Sequence, residues 1–306
     1  MSDLLQSLSR RSVEEILAVL EAAIEEHQAW LQRWHRSVVC KLQPSSDLVS
    51  ENAHYLCRFG SWYDLHGGAG IVDQPAFDEL GDAHRLMHDH GRWLAARAWK
   101  DSRVPAEEYE AFMAKVVAFQ GQARRLERAF RAALSDLDPL TGVHNRKSML
   151  AELAREQDRA QRTHQPCCFA LGDLDHFKQI NDRYGHVVGD RVLLAAAGSF
   201  LSSLRPYDSL FRYGGEEFLF CLPDTALDQA QRTLDRLRQR LAEQPIEVED
   251  GERVQVTVSF GIALAIADVP IETLIERADR ALYEAKQQGR NRVEVWREDL
   301  PTNPVA

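Results

Sequence analysis

The chain has 306 residues, 44% of them hydrophobic, which is enough for two cores of ordinary domain size, and it carries a formal net charge of -10. That charge excludes free nucleic acid and an anionic membrane as general partners, while local basic clusters stay able to hold a small phosphorylated ligand. Five irregularly spaced cysteines form no disulfide framework, no signal peptide opens the chain and no apolar run approaches membrane-spanning length. A soluble, cytoplasmic protein with reduced thiols is expected.

From about Ser12 to Leu134 the hydrophobic period is helical. Ile16, Leu17, Leu20, Ile24 and Leu31 mark a first helix that ends at Leu42-Gln-Pro44. A second is expected from about Leu48 to Leu65, followed by a break at His66-Gly-Gly-Ala-Gly70. A third follows Pro75 to about Trp99, and a fourth follows Pro105 with Tyr109, Phe112, Val116, Phe119, Leu126 and Phe130 in helical register. Four long helices joined by short turns predict an antiparallel four-helix bundle, whose core is a common place for a metal site.

This half is rich in histidine: His27, His35, His54, His66, His84, His88 and His90 all precede residue 91, with Cys40 and Cys57 among them. His84 and His88 are one helical turn apart, so their imidazoles project from one face. Such a pair alone is more often core packing than a metal grip. His27-Gln-Ala-Trp30 and Cys57-Arg-Phe-Gly-Ser-Trp62 add to it, and together these segments resemble the chemoreceptor zinc-binding (CZB) family. The resemblance implies a quartet of His27, Cys57, His84 and His88 holding one zinc ion. One thiolate and three neutral imidazoles make a closed tetrahedral set with no open position for a catalytic water, so the ion is expected to be structural or sensory. Because its ligands come from three helices, metal occupancy would couple to helix packing. His54 and Cys40 could each replace a member of the quartet. His35, His66 and His90 are expected at the surface, and Trp30 and Trp62 in the core.

Ala133 to Arg146 is a short, legible linker in which Pro139 and Gly142 supply a break before a new helix. From Cys167 the period changes. Cys167-Cys-Phe-Ala-Leu-Gly-Asp173 reads as a buried strand delivering Asp173 to a cleft, and a helix begins at His176. Helices are expected at Val187 to Leu204, Leu227 to Leu241 and Ile271 to Gln288, with strands at Val254 to Ala265 and Arg292 to Trp296. Gly214-Gly215, set between β-favouring runs, signals a hairpin with Glu216 and Glu217 just past its turn and on opposite faces. The layout is α+β with a mostly antiparallel central sheet covered by helices.

Gly214-Gly-Glu-Glu-Phe218, the linker and the run from Asp173 to Asp190 resemble the GGDEF family, the diguanylate cyclases, over about Asp138 to Trp296. The resemblance implies a palm-like cyclase domain at 135–306 behind a zinc-binding sensor and dimerisation domain at 1–134. It implies that two GTP molecules are condensed into cyclic di-GMP with release of pyrophosphate. It also implies two magnesium ions per active site, held by Asp173, the Leu174 carbonyl and Glu216, with Glu217 as a further ligand. Lys178 would stabilise charge in phosphoryl transfer, and Lys286 and Arg290 would meet the phosphates. Asn181 and Asp190 would read guanine, with His186, Gly214 and Gly215 also at the nucleotide. Arg205-Pro-Tyr-Asp208 stands at the spacing of the family's inhibitory site, so cyclic di-GMP would bind Arg205 and Asp208. A homodimer is implied because each domain offers one GTP face. The resemblance to zinc-repressed cyclases with this domain order implies that zinc inhibits. The competing reading is a domain without useful turnover that signals by binding cyclic di-GMP, and a third is a plain zinc buffer. Intact Asp173, Lys178, Glu216 and Glu217 favour the enzyme.

Overall fold

The computed structural model describes residues 10–66, 74–101, 103–247 and 252–300. The chain divides into two compact units at the Ser135–Asp136 bond. The glycines expected to break the helical pattern at 67–70 lie outside the described residues.

The first unit is helical. Its long helices are α1 (Arg10–Val39), α4 (Pro75–Asp101) and α5 (Ala106–Ser135), close to three of the four expected spans. Between α1 and α4 the single helix expected from Leu48 to Leu65 is replaced by three short pieces: α2 (Ser46–Val49), a 3-10 turn (Ala53–Tyr55) and α3 (Arg58–Leu65). Polar side chains that compete for backbone groups explain the break. The Ser50 hydroxyl accepts from the Asn52 amide at 3.3 Å. Cys57 adopts an extended conformation as the N-cap of α3, its Sγ accepting from the Gly60 amide at 3.2 Å. Val13, Leu20, Phe59, Phe77, Phe112 and Phe130 are among the side chains of one continuous core.

The second unit is built on a six-stranded sheet in the order β1-β3-β4-β2-β7-β8. The strands are β1 (His144–Asn145), β2 (Cys168–Leu174), β3 (Ser209–Arg212), β4 (Glu217–Leu222), β7 (Val258–Leu264) and β8 (Val293–Val295). The three central pairings, β3 with β4, β4 with β2 and β2 with β7, are antiparallel, and the edge strands β1 and β8 pair in parallel. The strand expected over Val254 to Ala265 is split: β6 (Arg253–Val254) pairs with β5 (Ile246–Glu247) in a separate ribbon, and the main sheet takes up the chain again at Val258.

Both faces of the sheet are covered, which is why β2 is apolar from Cys168 to Gly172 and buried at every residue. On one face α7 (Phe177–Tyr184), α8 (His186–Leu201) and α9 (Leu227–Glu243) enclose Phe200, Phe218, Phe220 and Phe260. The Phe200 ring lies 5.4 Å from Phe218 and from Phe220, edge to face. Burying each such ring contributes roughly 1.5–3 kcal/mol. On the other face α6 (Arg146–Thr163) and α10 (Ile271–Gln287) pack on Phe169, Leu171, Phe211 and Leu219.

Gly261 is where α10 meets β7. A Cβ there would come within 2.1 Å of both the Ala278 carbonyl oxygen and the Leu282 amide nitrogen. Backbone on both sides cannot give way cheaply, so Gly261→Ala should destabilise this unit by about 3 kcal/mol. Gly198, within α8, has nothing within 4 Å of its would-be Cβ. Gly198→Ala should therefore stabilise by roughly 0.5–1 kcal/mol through helix propensity. Urea unfolding of the two variants checks the opposite signs.

Candidate functional site

In the helical unit the four expected ligands converge. One donor atom from each of His27, Cys57, His84 and His88 lies within 4.8 Å of all the others. His27 Nε2 is 3.0 Å from His84 Nε2 and 3.1 Å from His88 Nε2, and Cys57 Sγ is 3.2 Å from His84 Nε2. A tetrahedral zinc with bonds near 2.0–2.1 Å to nitrogen and 2.3 Å to sulfur needs edges of roughly 3.3–3.6 Å, so these donors stand close to the required shell. His27 Nδ1 donates to the Ala23 carbonyl at 2.6 Å, which leaves its Nε2 bare and aimed at the other donors. The donor set, one sulfur and three imidazoles, fits zinc and not a hard cation.

Burial in the apolar core keeps these imidazoles neutral. Desolvation lowers His27 and His84, with neighbouring imidazoles adding to the fall at His84, and pushes His88 down to about 3. The same desolvation pushes the Cys57 thiol up to about 11, against the pull of the Gly60 amide. Of the remaining candidates, Cys40 is exposed, and His54 gives only its carbonyl oxygen, 3.6 Å from the Cys57 thiol. His66 is exposed as expected. His35 and His90 are half-buried instead, because His35 meets the Tyr109 hydroxyl at 3.3 Å and His90 meets Glu108 at 3.4 Å. Trp30 is buried against His88.

In the sheet unit the acidic cluster forms at the end of β2. Asp173 and Glu217 are register partners across β2 and β4, so their side chains share a face with Leu171 and Leu219. Glu216 precedes β4, and its carbonyl accepts from the Leu174 amide at 3.3 Å, which brings the turn onto the strand end. Lys286, expected on phosphates, reaches Asp173 Oδ2 at 2.9 Å from α10. Burial raises the Asp173 carboxyl, Lys286 pulls it back, and Glu216 and Asp175 add to the rise. Glu217 is raised by burial and then by Asp173. Like charges crowded around one lysine, with oxygen donors only, suit hard divalent cations such as magnesium. A cavity of about 620 Å³ opens here, with Glu217, Lys286, Arg146, Tyr213 and Tyr283 in its wall.

Lys178 is exposed on α7, and Asp190 and His186 are exposed on α8. Asn181 is partly buried; its Oδ1 is buried with no hydrogen-bond partner among the described residues. A Cβ on Gly189 would sit 1.9 Å from that oxygen, so the Asn181 side chain occupies the space that a side chain at 189 would need. Gly185, at φ 82, makes the corner between them. Arg290 is exposed at the end of α10 with φ 64. Asp208 Oδ2 accepts from the Arg205 amide at 2.8 Å, while the Arg205 guanidinium lies 5.9 Å from the centre of the Tyr207 ring.

Two supports were missed by sequence reasoning. Asp175 is buried and accepts from Thr257 Oγ1 at 2.7 Å, Ser259 Oγ at 2.7 Å and the Asn291 amide at 3.0 Å. It ties the Asp173 strand end to β7 and to the loop carrying Arg290. Arg212 donates to both oxygens of Asp138 at 3.0 and 3.2 Å and to the Gly215 carbonyl at 2.9 Å, holding the Gly-Gly turn against the linker. Asp175 stands inside the Asp173-Leu-Asp175 motif, so its acidity was visible; its partners lie more than 80 residues away.

Residues 135–292 match the family described as diguanylate cyclase, GGDEF domain, and residues 27–95 match the chemoreceptor zinc-binding domain. The chain is 32% identical over 286 residues to diguanylate cyclase DgcZ of Escherichia coli, covering 92% of this chain and 93% of that one. It resembles the crystal structure of the coiled coil and GGDEF domain of DgcB from Caulobacter crescentus in complex with c-di-GMP, with TM-score 0.56 and 33% identity over 61% of this chain and 98% of that one. It also resembles diguanylate cyclase SiaD in complex with its activator SiaC from Pseudomonas aeruginosa, with TM-score 0.52 and 28% identity over 89% of this chain and 98% of that one.

The protonation states set how zinc capture depends on pH. With the thiol near 11 it is protonated at neutral pH, whereas the three imidazoles have no proton to lose. Zinc must then displace one proton, and affinity should rise about tenfold per pH unit between about pH 6 and 8. Competition against a chelator of known pH dependence measures the slope. A slope steepening towards four below about pH 6.5 would mean that the imidazoles titrate at their ordinary value.

Proposed function

The chain belongs to the GGDEF family of diguanylate cyclases, and on that premise we propose that it condenses two GTP molecules into cyclic di-GMP under the control of a zinc ion in its helical unit. The observation that carries the catalytic reading is the cross-strand pair Asp173 and Glu217 beside Glu216 and Lys286.

Asp173, the Leu174 carbonyl and Glu216 hold the magnesium ions, with Glu217 as a further ligand. Bound there, magnesium supplies charge neutralisation for the phosphates and lowers the cost of ionising the 3′-hydroxyl. Lys178 and Arg290 take the phosphate charge, and Lys286 exchanges its hold on Asp173 for the same role. Asn181 offers the amide whose Oδ1 is buried and unsatisfied to the guanine edge, and the Asp190 carboxylate accepts from the ring and exocyclic nitrogens. His186, Gly214 and Gly215 complete the nucleotide's surroundings. Since one such unit offers one GTP, two copies must meet with C2 symmetry, and the helical unit supplies the standing homodimer. Cyclic di-GMP restrains the enzyme by binding at Arg205 and Asp208, whose guanidinium and carboxylate suit a phosphate and a guanine edge.

Zinc acts through packing. An ion held from α1, Cys57 and α4 selects the bundle arrangement that best closes the quartet, and α5 ends at the unit boundary. Its selected arrangement is the unproductive one, so zinc lowers turnover.

One GTP assay with magnesium tests both parts. Glu216→Gln should lower turnover by about 100-fold, as expected for roughly 3 kcal/mol of lost transition-state stabilisation, without loss of folding. The parent should gain activity on strong chelation, and Cys57→Ala should be more active than the zinc-loaded parent and indifferent to chelator. Parent-like turnover by Glu216→Gln would sink the metal assignment, and a parent slowed by chelation would reverse the sign of the zinc effect.

A further inference from the structure

A quartet buried this deeply needs a way for its ion to arrive and leave, and its surroundings differ sharply from side to side. Towards the bundle interior the rings of Phe119 and Phe59 seal it: Phe119 lies 4.6 Å from His27 and Phe59 5.0 Å from His84. A hydrated cation cannot cross that layer without opening a close-packed core. Cys57 is the one ligand of the four that is not buried.

Among the described residues, two cavities reach the ligands from outside. One, of about 210 Å³, has His27, Cys57 and His88 in its wall and Glu26, Arg33 and Asp47 also lining it. The other, of about 250 Å³, touches only His84 of the quartet and is lined by His54, Asp64, Asp82 and Arg85. The first therefore meets three of the four ligands, including the half-buried Cys57. Each cavity is lined by two carboxylates and one guanidinium, so it is contact with three ligands rather than charge that singles out the first.

The first cavity also has a closure. Arg33 on α1 donates through Nε at 3.2 Å and through a terminal nitrogen at 3.0 Å to Asp47 Oδ2, on the four-residue helix α2. The Trp30 indole donates to the Asp47 carbonyl at 3.2 Å and the Ser45 hydroxyl donates to its other carboxylate oxygen. Glu26 Oε2 accepts from the Arg58 amide at 3.1 Å, across from α1 to the residue after Cys57. Both side chains of the Arg33–Asp47 pair are substantially exposed, so water screens the pair and its opening costs far less than disturbing the aromatic layer.

We propose that the cavity between α1, α2 and Cys57 is the route by which the divalent cation exchanges with the quartet, that Glu26 draws the ion in, and that the Arg33–Asp47 pair is the latch. This rests on the reading of His27, Cys57, His84 and His88 as zinc ligands. A latch and a structural brace leave different kinetic marks. Loss of a latch speeds capture and release together and leaves the dissociation constant nearly unchanged. Loss of a brace speeds release alone and weakens binding in proportion.

Stopped-flow measurements on the full chain separate these, using zinc with a fluorescent indicator for capture and excess chelator for release. Arg33→Ala should raise both rates by about 3- to 10-fold, since it opens the pair and removes a positive charge from the mouth. Glu26→Gln should slow capture by about 3-fold at low salt, a difference that disappears at high salt. Arg85→Ala and Asp82→Asn, which alter the other cavity, should leave both rates as in the parent. Thermal unfolding of each zinc-free variant confirms folding. Unchanged rates in Arg33→Ala, a rise in release alone, or altered rates in Arg85→Ala or Asp82→Asn would overturn the route. A parent that binds no zinc would overturn the ligand reading itself and the route with it.

Discussion

His27 Nε2, held 3.0 Å from His84 Nε2 and 3.1 Å from His88 Nε2 inside an apolar core, is the centre of the interaction on which the helical unit depends. Burial disfavours the charged form of each ring, and the Ala23 carbonyl takes the proton-bearing side of His27, which leaves its Nε2 as an acceptor. One shared cation would be met by all four donor atoms at once. On the zinc reading proposed above, the ion's binding energy would be folding energy for this region, spent on holding α1, the Cys57 turn and α4 in one arrangement. The broken stretch between α1 and α4 follows from the same need. A continuous helix from Leu48 to Leu65 would have carried Cys57 in mid-helix, whereas the extended N-cap conformation turns its sulfur inwards.

The sheet unit meets a comparable constraint with hard ligands. Asp173 and Glu217 face the same way across adjacent strands, and burial with mutual repulsion raises both carboxyls. Lys286 offsets part of that repulsion. Such a cluster survives because the surrounding backbone is fixed: Asp175 pins two segments to the strand end, and Arg212 pins the Gly214-Gly215 turn to Asp138. In both units, then, a rigid frame crowds together groups that one shared cation would satisfy.

Much of this was legible from the residues. The helical period, the apolar run ending at Asp173, the Gly-Gly turn and the i,i+4 histidines each carry a local signal, and local signals survive in a sequence. What escaped was set by partners distant in the chain. The split of the strand over Val254 to Ala265 follows from Thr257 turning to Asp175, more than 80 residues before it. The contact of Lys286 with Asp173 joins α10 to β2 over a gap that no spacing rule covers. His35 and His90 looked like surface residues because Tyr109 and Glu108, which partly cover them, come from α5. The replacement of the second helix by three short pieces depended on a thiol acting as a cap, a role usually filled by Ser, Thr, Asp or Asn.

The central claim is that the four convergent side chains form one closed soft-ligand shell. Zinc-edge X-ray absorption on the zinc-loaded protein reads that shell directly. The account predicts four-coordinate zinc with one sulfur at about 2.3 Å and three nitrogens at about 2.0–2.1 Å, and no bound water. A six-coordinate shell of oxygens, or a shell without sulfur, would contradict it.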